Sequence, residues 1–108
     1  MTESSTTSPG ESFLPTNNTK EIQENELVGL HFPSTEVLFN RFDQFRREKD
    51  LQQARVLSSV YKQQVSINFE DVEGPKIIHA FVKGLNEKYV QLNNHLNIPI
   101  HRIVSINY

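Results

Sequence analysis

Asn97-Ile98-Pro99-Ile100-His101-Arg102-Ile103-Val104-Ser105-Ile106-Asn107-Tyr108 is the run on which the reading of this chain turns. Its branched apolar residues predict a β-strand, with Pro99 at an edge or at the strand start because proline donates no ladder hydrogen bond. A chain that stops inside a strand is expected to have that terminus tied into a sheet. Upstream, Val65, Ile67 and Phe69 alternate with Ser66, Asn68 and Glu70, the period of two of a strand with one buried face. Asp71-Val72-Glu73-Gly74-Pro75 reads as a turn, since Gly admits positive φ and Pro ends ladder donation. Ile77-Ile78-His79-Ala80-Phe81-Val82-Lys83-Gly84-Leu85 makes a second strand, Asn86-Glu87-Lys88 turns, and Tyr89-Val90-Gln91-Leu92 makes a third. Four consecutive strands with short connections imply an antiparallel meander. Its two free edges require that the sheet curl, be covered by a helix, or pair with another subunit.

Ahead of these strands the period becomes helical. Pro33-Ser34-Thr35-Glu36 carries a start signal: Ser34 can cap, and Glu36 complements the positive end of the helix dipole. Leu38, Phe42 and Phe45 follow at helical spacing, widened by Val37 and Phe39, and are expected to face the core. Arg46-Arg47-Glu48-Lys49-Asp50 holds no apolar residue, and Asp50-Leu51-Gln52-Gln53 resembles a capping box that restarts a helix. Leu51, Ala54, Leu57 and Tyr61 form a second stripe. One helix kinked near Lys49, or two helices, is expected to end near Ser58-Ser59. The fold class is therefore α+β: a disordered acidic and polar tail over residues 1–32, then a domain over 33–108. That domain combines the helical segment with a strongly bent, four- to five-stranded antiparallel sheet.

The tail assignment rests on composition. Residues 1–31 are rich in Ser, Thr, Asn, Glu and Pro, with apolar residues in isolated pairs such as Phe13-Leu14, so burial cannot offset the entropy of ordering them. Leu27-Val28-Gly29-Leu30-His31-Phe32 is the exception and is expected to dock on the domain. The net charge of −2 is unevenly spread. Residues 1–40 carry one Lys and six Glu, residues 41–62 six Lys or Arg against three acids, and residues 63–108 four against four. A domain of about 76 residues buries only roughly 60–65% of its unfolded surface, so a partner that covers part of it, a second copy included, is expected to matter. The absence of cysteine excludes disulfides, thiolate metal sites, iron–sulfur clusters and thiol nucleophiles. The N-terminus lacks the basic and apolar regions of a signal peptide, and no apolar run approaches the roughly 20 residues that span a bilayer. A soluble, cytoplasmic protein with no membrane partner is expected.

The order of N-terminal helix, short antiparallel strands and a closing Ile-Pro-Ile-His-Arg-Ile-Val-Ser-Ile strand resembles small bacterial Sm-like or SH3-like bent sheets, of the Rho-binding antiterminator and YolD types. Phe69-Glu70-Asp71-Val72-Glu73-Gly74 and Ile98-Pro99-Ile100-His101-Arg102-Ile103 also resemble the turn and closing strand of a group of short Bacteroidota-type bacterial proteins. The resemblance covers residues 62–108 and implies a helix plus a bent antiparallel sheet. It departs from Sm proteins at the closing turn, where Arg102 is followed by Ile103 rather than Gly, so ring assembly and uridine binding of the Sm kind are not implied.

No catalytic constellation emerges. The four histidines, His31, His79, His95 and His101, lack ligand spacing, so no metal is expected. Ser58, Ser59, Ser66 and Ser105 lie in no Gly-x-Ser-x-Gly elbow, and Glu70, Asp71 and Glu73 are acids in a turn, where local hydrogen bonding accounts for them. Gly10, Gly29, Gly74 and Gly84 are too scattered for a phosphate loop, and neither a cofactor nor a small-molecule substrate is expected. What remains is a non-enzymatic protein-interaction or structural module, with self-association among its forms. Its candidate surface is Phe39 on the aromatic helix with Ile103 and Ile106 on an edge strand. The alternative is an RNA-binding regulator whose helix contacts phosphates through Arg41, Arg46, Arg47, Lys49 and Arg55.

Overall fold

The terminal run forms three pieces rather than one strand. The computed structural model describes residues 19–108, in the order β1 (Lys20–Ile22), α1 (Glu24–Leu27), α2 (Arg41–Tyr61), β2 (Val65–Asp71), β3 (Gly74–Ala80), β4 (Gly84–Leu85), β5 (Tyr89–Gln91), β6 (Asn97–Pro99) and β7 (Ile103–Asn107). A single 3-10 turn over Ile100–Arg102 separates β6 from β7 and sends them to different sheets. One sheet has the order β1-β3-β2-β7 and the other β4-β5-β6. The architecture is α+β, with the strands divided between two sheets rather than gathered in one. The first sheet is mixed because β1 runs parallel to β3.

Two breaks create the division. The expected strand 77–85 is interrupted at Phe81-Val82-Lys83, where the Val82 N–H donates to the Ser58 hydroxyl at 2.9 Å instead of to a neighbouring strand. At the second break the 33–37 segment holds the 3-10 turn. The Val37 N–H donates to the His101 carbonyl at 2.9 Å, and Arg102 donates to the Thr35 and Glu70 carbonyls at 2.8 and 3.0 Å. A bulge then leaves Val104 out of the β2–β7 register, in which Asn68 pairs with Ser105 but Phe69 with Ile103. Ile103 and Ile106, three apart, consequently both point inward and are 0% and 5% exposed.

The period-of-two reading of β2 holds along its whole length: Val65, Ile67, Phe69 and Asp71 are buried and the residues between them half-buried. Residues 20–32 belong to the folded unit. Ile22 and Leu27 enter the core, Phe32 tilts against Phe69 at a 5.9 Å ring separation, and the Val72 N–H donates to the His31 carbonyl. Residues 20–32 of the expected tail are therefore part of the fold, and its earlier part, Phe13-Leu14 included, lies outside the described residues.

Helix α2 begins later and ends later than its sequence signals suggest. Its cap is Asn40, whose side-chain oxygen accepts from the Phe42 and Asp43 N–H groups at 2.7 and 3.3 Å. Ser34 does not cap a helix, because Glu36 is turned onto Arg47 and the Val37 N–H is committed to the His101 carbonyl of the 3-10 turn. The helix then runs unbroken through Arg46–Asp50 to Tyr61, 21 residues in all, and exits through Lys62 in the left-handed region at φ 54°. Because it is continuous, its two apolar stripes fall on opposite sides. The buried side is Arg47, Leu51, Ala54 and Ser58, whereas Phe42, Phe45 and Tyr61, expected in the core, face water. The helix packs on β7 and β4, across the seam between the two sheets. Among the described residues, no helix is long and apolar enough to cross a membrane.

Candidate functional site

The outward side of α2 is the most unusual surface of the molecule. Phe39 is 94% exposed, Phe42 79% and Phe45 59%, and Val56 and Val60 continue the exposure one and two helical turns beyond the middle. At 3.6 residues per turn, Phe42, Phe45, Val56 and Val60 lie within about 60° of one another and about half a turn from Leu51 and Ala54. The Lys49 ammonium sits over the Phe45 ring, 5.6 Å from its centroid, and Asn40 holds the helix start on which Phe42 is carried.

Beside this stripe lies an open cleft of about 1020 Å³ between α2 and the β4–β5 turn. Its floor includes Leu51, Leu85 and Ile100, and Phe42 and Phe45 form part of its wall. Its rim mixes Arg41 and Arg55 with Glu48 and Glu87, so it carries no field of one sign. Arg47, Glu87 and Ile100 also line a second cleft of about 790 Å³, into which His31 and His101 face.

The wall between the clefts is pinned by Arg47, 7% exposed. Its guanidinium donates to the two Glu36 carboxylate oxygens at 2.7 and 2.8 Å and to the Ile103 carbonyl at 3.0 Å. Burial of the Glu36 carboxyl favours its neutral form, but the hydrogen bonds from Arg47 and the Leu38 N–H, with the Arg47 charge, outweigh this and hold its pKa below the ordinary 4.5. Among the described residues, the Arg47 Nε has no hydrogen-bond partner.

The five basic residues expected to make one cationic face are not brought together. Arg47 is buried and paired, Lys49 covers Phe45, Arg41 and Arg55 border the larger cleft, and Arg46 lies on the far flank of the stripe. Of the candidate interaction residues, Phe39 is fully available, but Ile103 and Ile106 are core residues and present no surface, because the bulge at Val104 turns both inward. Val56 and Val60 were not singled out in the sequence. Their signal is the helical register itself, which opposes the Phe42 and Leu51 stripes once α2 is carried through Lys49 without a break.

The polar groups outside this face are structural in their contacts. Ser66 and His79 hydrogen bond at 2.7 Å, and Glu21 approaches the other ring nitrogen at 3.7 Å. This gives Ser66 the histidine partner that its sequence context did not reveal. Ser66 and His79 are register partners across β2 and β3, Glu21 reaches His79 diagonally from its place opposite Ile77, and the three line neither cleft. Among the described residues no cluster of three His, Asp or Glu could hold a metal ion.

No family model, curated protein or solved structure matches this chain. The functional reading therefore rests on the geometry of α2 and its flanking clefts. What that geometry offers chemically is a desolvatable aromatic surface with a polar rim.

Proposed function

We propose that the protein is a non-enzymatic interaction module that docks a protein partner on the outward face of α2. The observation that carries this reading is the placement of Phe42, Phe45, Val56 and Val60 on the side of α2 opposite its buried residues. Phe42 with Phe45 and Val56 with Val60 form two apolar spots on that face with Lys49, Gln52 and Gln53 between them, and exposed large apolar groupings of this kind mark interaction surfaces. Phe39 and the adjoining cleft extend the same surface, and the mixed rim supplies orientation rather than bulk attraction. The likeness to Sm-like and SH3-like bent sheets belongs to this proposal, supported by the way β3 bends at residues 81–83 into β4 of the second sheet. A cytoplasmic setting also belongs to it, supported by the absence of cysteine.

Phosphate contacts along 41–55 find less support, since Arg41, Arg46, Lys49 and Arg55 leave the helix in different directions and Arg47 is spent on Glu36. The test is a photoreactive phenylalanine analogue placed at position 42 in the full chain and activated in the cells that make it. Covalent adducts to protein are expected from position 42 and not from position 72, an exposed residue on the β2–β3 turn. Equal adduct formation from both positions, adducts to RNA alone, or none at all would overturn the reading.

A further inference from the structure

We infer that the partner on this face is a second copy of the chain, with the two α2 helices packed antiparallel about a two-fold axis near Leu51-Gln52. The inference rests on the docking-surface reading and adds the identity of the occupant. Three observations carry it.

The first is area. With aromatic side chains exposing on the order of 150–250 Å² each, the exposed parts of Phe42, Phe45, Val56 and Val60 amount to roughly 450 Å². A stable interface buries about 800 Å² per partner, so these four side chains supply about half of what a dimer needs, with the polar side chains between and beside them as the remainder.

The second is self-complementarity. In an isologous pairing, residues whose numbers sum to a constant lie opposite one another. A sum of about 102 sets Phe42 against the partner copy's position 60, Phe45 against position 56 or 57, and Lys49 against position 53. Aromatic rings at one end of the stripe thus meet valines at the other end. The exposed large residues Phe42 and Phe45 lie entirely in the first half of α2 and Val56 and Val60 entirely in the second, as this arrangement requires.

The third is charge. Glu48 and Arg55 lie on the same flank of the stripe, both on the rim of the larger cleft. Antiparallel packing brings Glu48 of each copy beside position 55 of the other, giving two opposite-charge pairs by symmetry. Parallel packing would instead carry Glu48 and Arg55 of the two copies to opposite flanks, where neither pair can form, set Lys49 against Lys49 at the centre of the seam, and align the two helix dipoles. Charge therefore selects the orientation that the apolar pattern fits.

The experiment is sedimentation equilibrium on the full chain, whose monomer is 12.5 kDa, across a wide concentration range. A concentration-dependent mass of twice that value is expected. Val60→Asp, at a residue 62% exposed, should weaken association about tenfold or more without changing the circular dichroism spectrum. Glu48→Arg alone and Arg55→Glu alone should each weaken it, and the two together should restore it to within about threefold of the original. A dimer indifferent to Val60→Asp, or a double charge swap no better than either single one, would sink the antiparallel arrangement.

A monomer at every concentration would sink the second copy as occupant. In that case binding of 1-anilinonaphthalene-8-sulfonate separates the two proposals. Fluorescence lost on Phe42→Asp would leave an open apolar docking face awaiting a different protein. Fluorescence absent from the original chain would mean that the face offers no open apolar surface, and the docking-surface reading would fall too.

Discussion

Glu36 and Arg47 illustrate how one pair of side chains decides what two segments do. Arg47 is the first inward residue of α2, and a buried guanidinium is tolerable there because Glu36 meets it with both oxygens while the Ile103 carbonyl takes a third hydrogen bond. Removing the acid leaves a buried cation without its counter-charge, and a glutamine there offers one acceptor oxygen in place of two. Glu36→Gln is expected to cost about 2–3 kcal/mol in urea denaturation. Replacing both partners, as in Glu36→Leu with Arg47→Met, should cost less than that single change, since no unpaired charge is left buried. A double variant less stable than the single one would show that the pair is a net source of stability. Asp71 repeats the logic in the β2–β3 turn, where burial opposes its charge but hydrogen bonds from Lys76 at 2.8 Å and from the Glu73 N–H hold its pKa below the ordinary 3.8. Both acids are more acidic folded than unfolded. Each therefore stabilises the fold at pH values above its ordinary one and loses that contribution as pH falls through its lowered one. Stability should hold flat from neutrality to about pH 4.5 and then decline, and the decline should be shallower in Glu36→Gln. Equal slopes in the two proteins would rule out Glu36 as a source of the acid sensitivity.

At the scale of the element, α2 is a helix with two apolar sides, and the second stays hidden for as long as the helix is read as two. The charged run Arg46–Asp50 carries a capping-box pattern, which is a local signal, but the 21-residue helix is continuous because Arg47 is itself inward-facing and satisfied from the 33–37 segment. No periodicity of apolar residues can announce an inward arginine. That is why the aromatic stripe was legible as a stripe yet assigned to the wrong side. The strands were more legible: β2, the turn after it, and the tight turn at 86–88 follow from alternation and turn chemistry, which are local. The breaks at 81–83 and 100–102 depend on a hydroxyl from α2 and on carbonyls from the 33–37 segment, which are not. Ser58 makes the first of those breaks, donating to the Gln63 carbonyl at 3.0 Å and accepting the buried Val82 N–H at 2.9 Å. Ser58→Ala orphans that N–H and should cost about 1–3 kcal/mol, with the Val82 amide exchanging faster than its neighbours by hydrogen-exchange NMR. Unchanged protection at Val82 would mean that the connection holds its shape without the hydroxyl.

At the scale of the whole molecule, the first described residues are part of the core and not an appendage. Ile22 is almost fully buried and β1 lies parallel beside β3, so Ile22→Ala should lower stability by about 2–4 kcal/mol, measured by the same denaturation. A loss below about 0.5 kcal/mol, the level of an ordinary surface change, would return this segment to the role of a tail. Composition hid it, because a three-residue strand with a single buried apolar side chain is too short to carry a period. The β2–β7 pairing described above also sets an order of assembly. Asp71 pairs with Gly74 across a tight turn, whereas Ile67 pairs with Ile106, 39 residues further along. The hairpin can form in about 1–10 μs, but the closing strand must wait for a long loop to be gathered in. In the interval one side of β2 is unpaired, and Val65, Ile67 and Phe69 are without the isoleucines that later seal them. That interval is when two newly made chains are most exposed to joining the wrong way, edge to edge along β2.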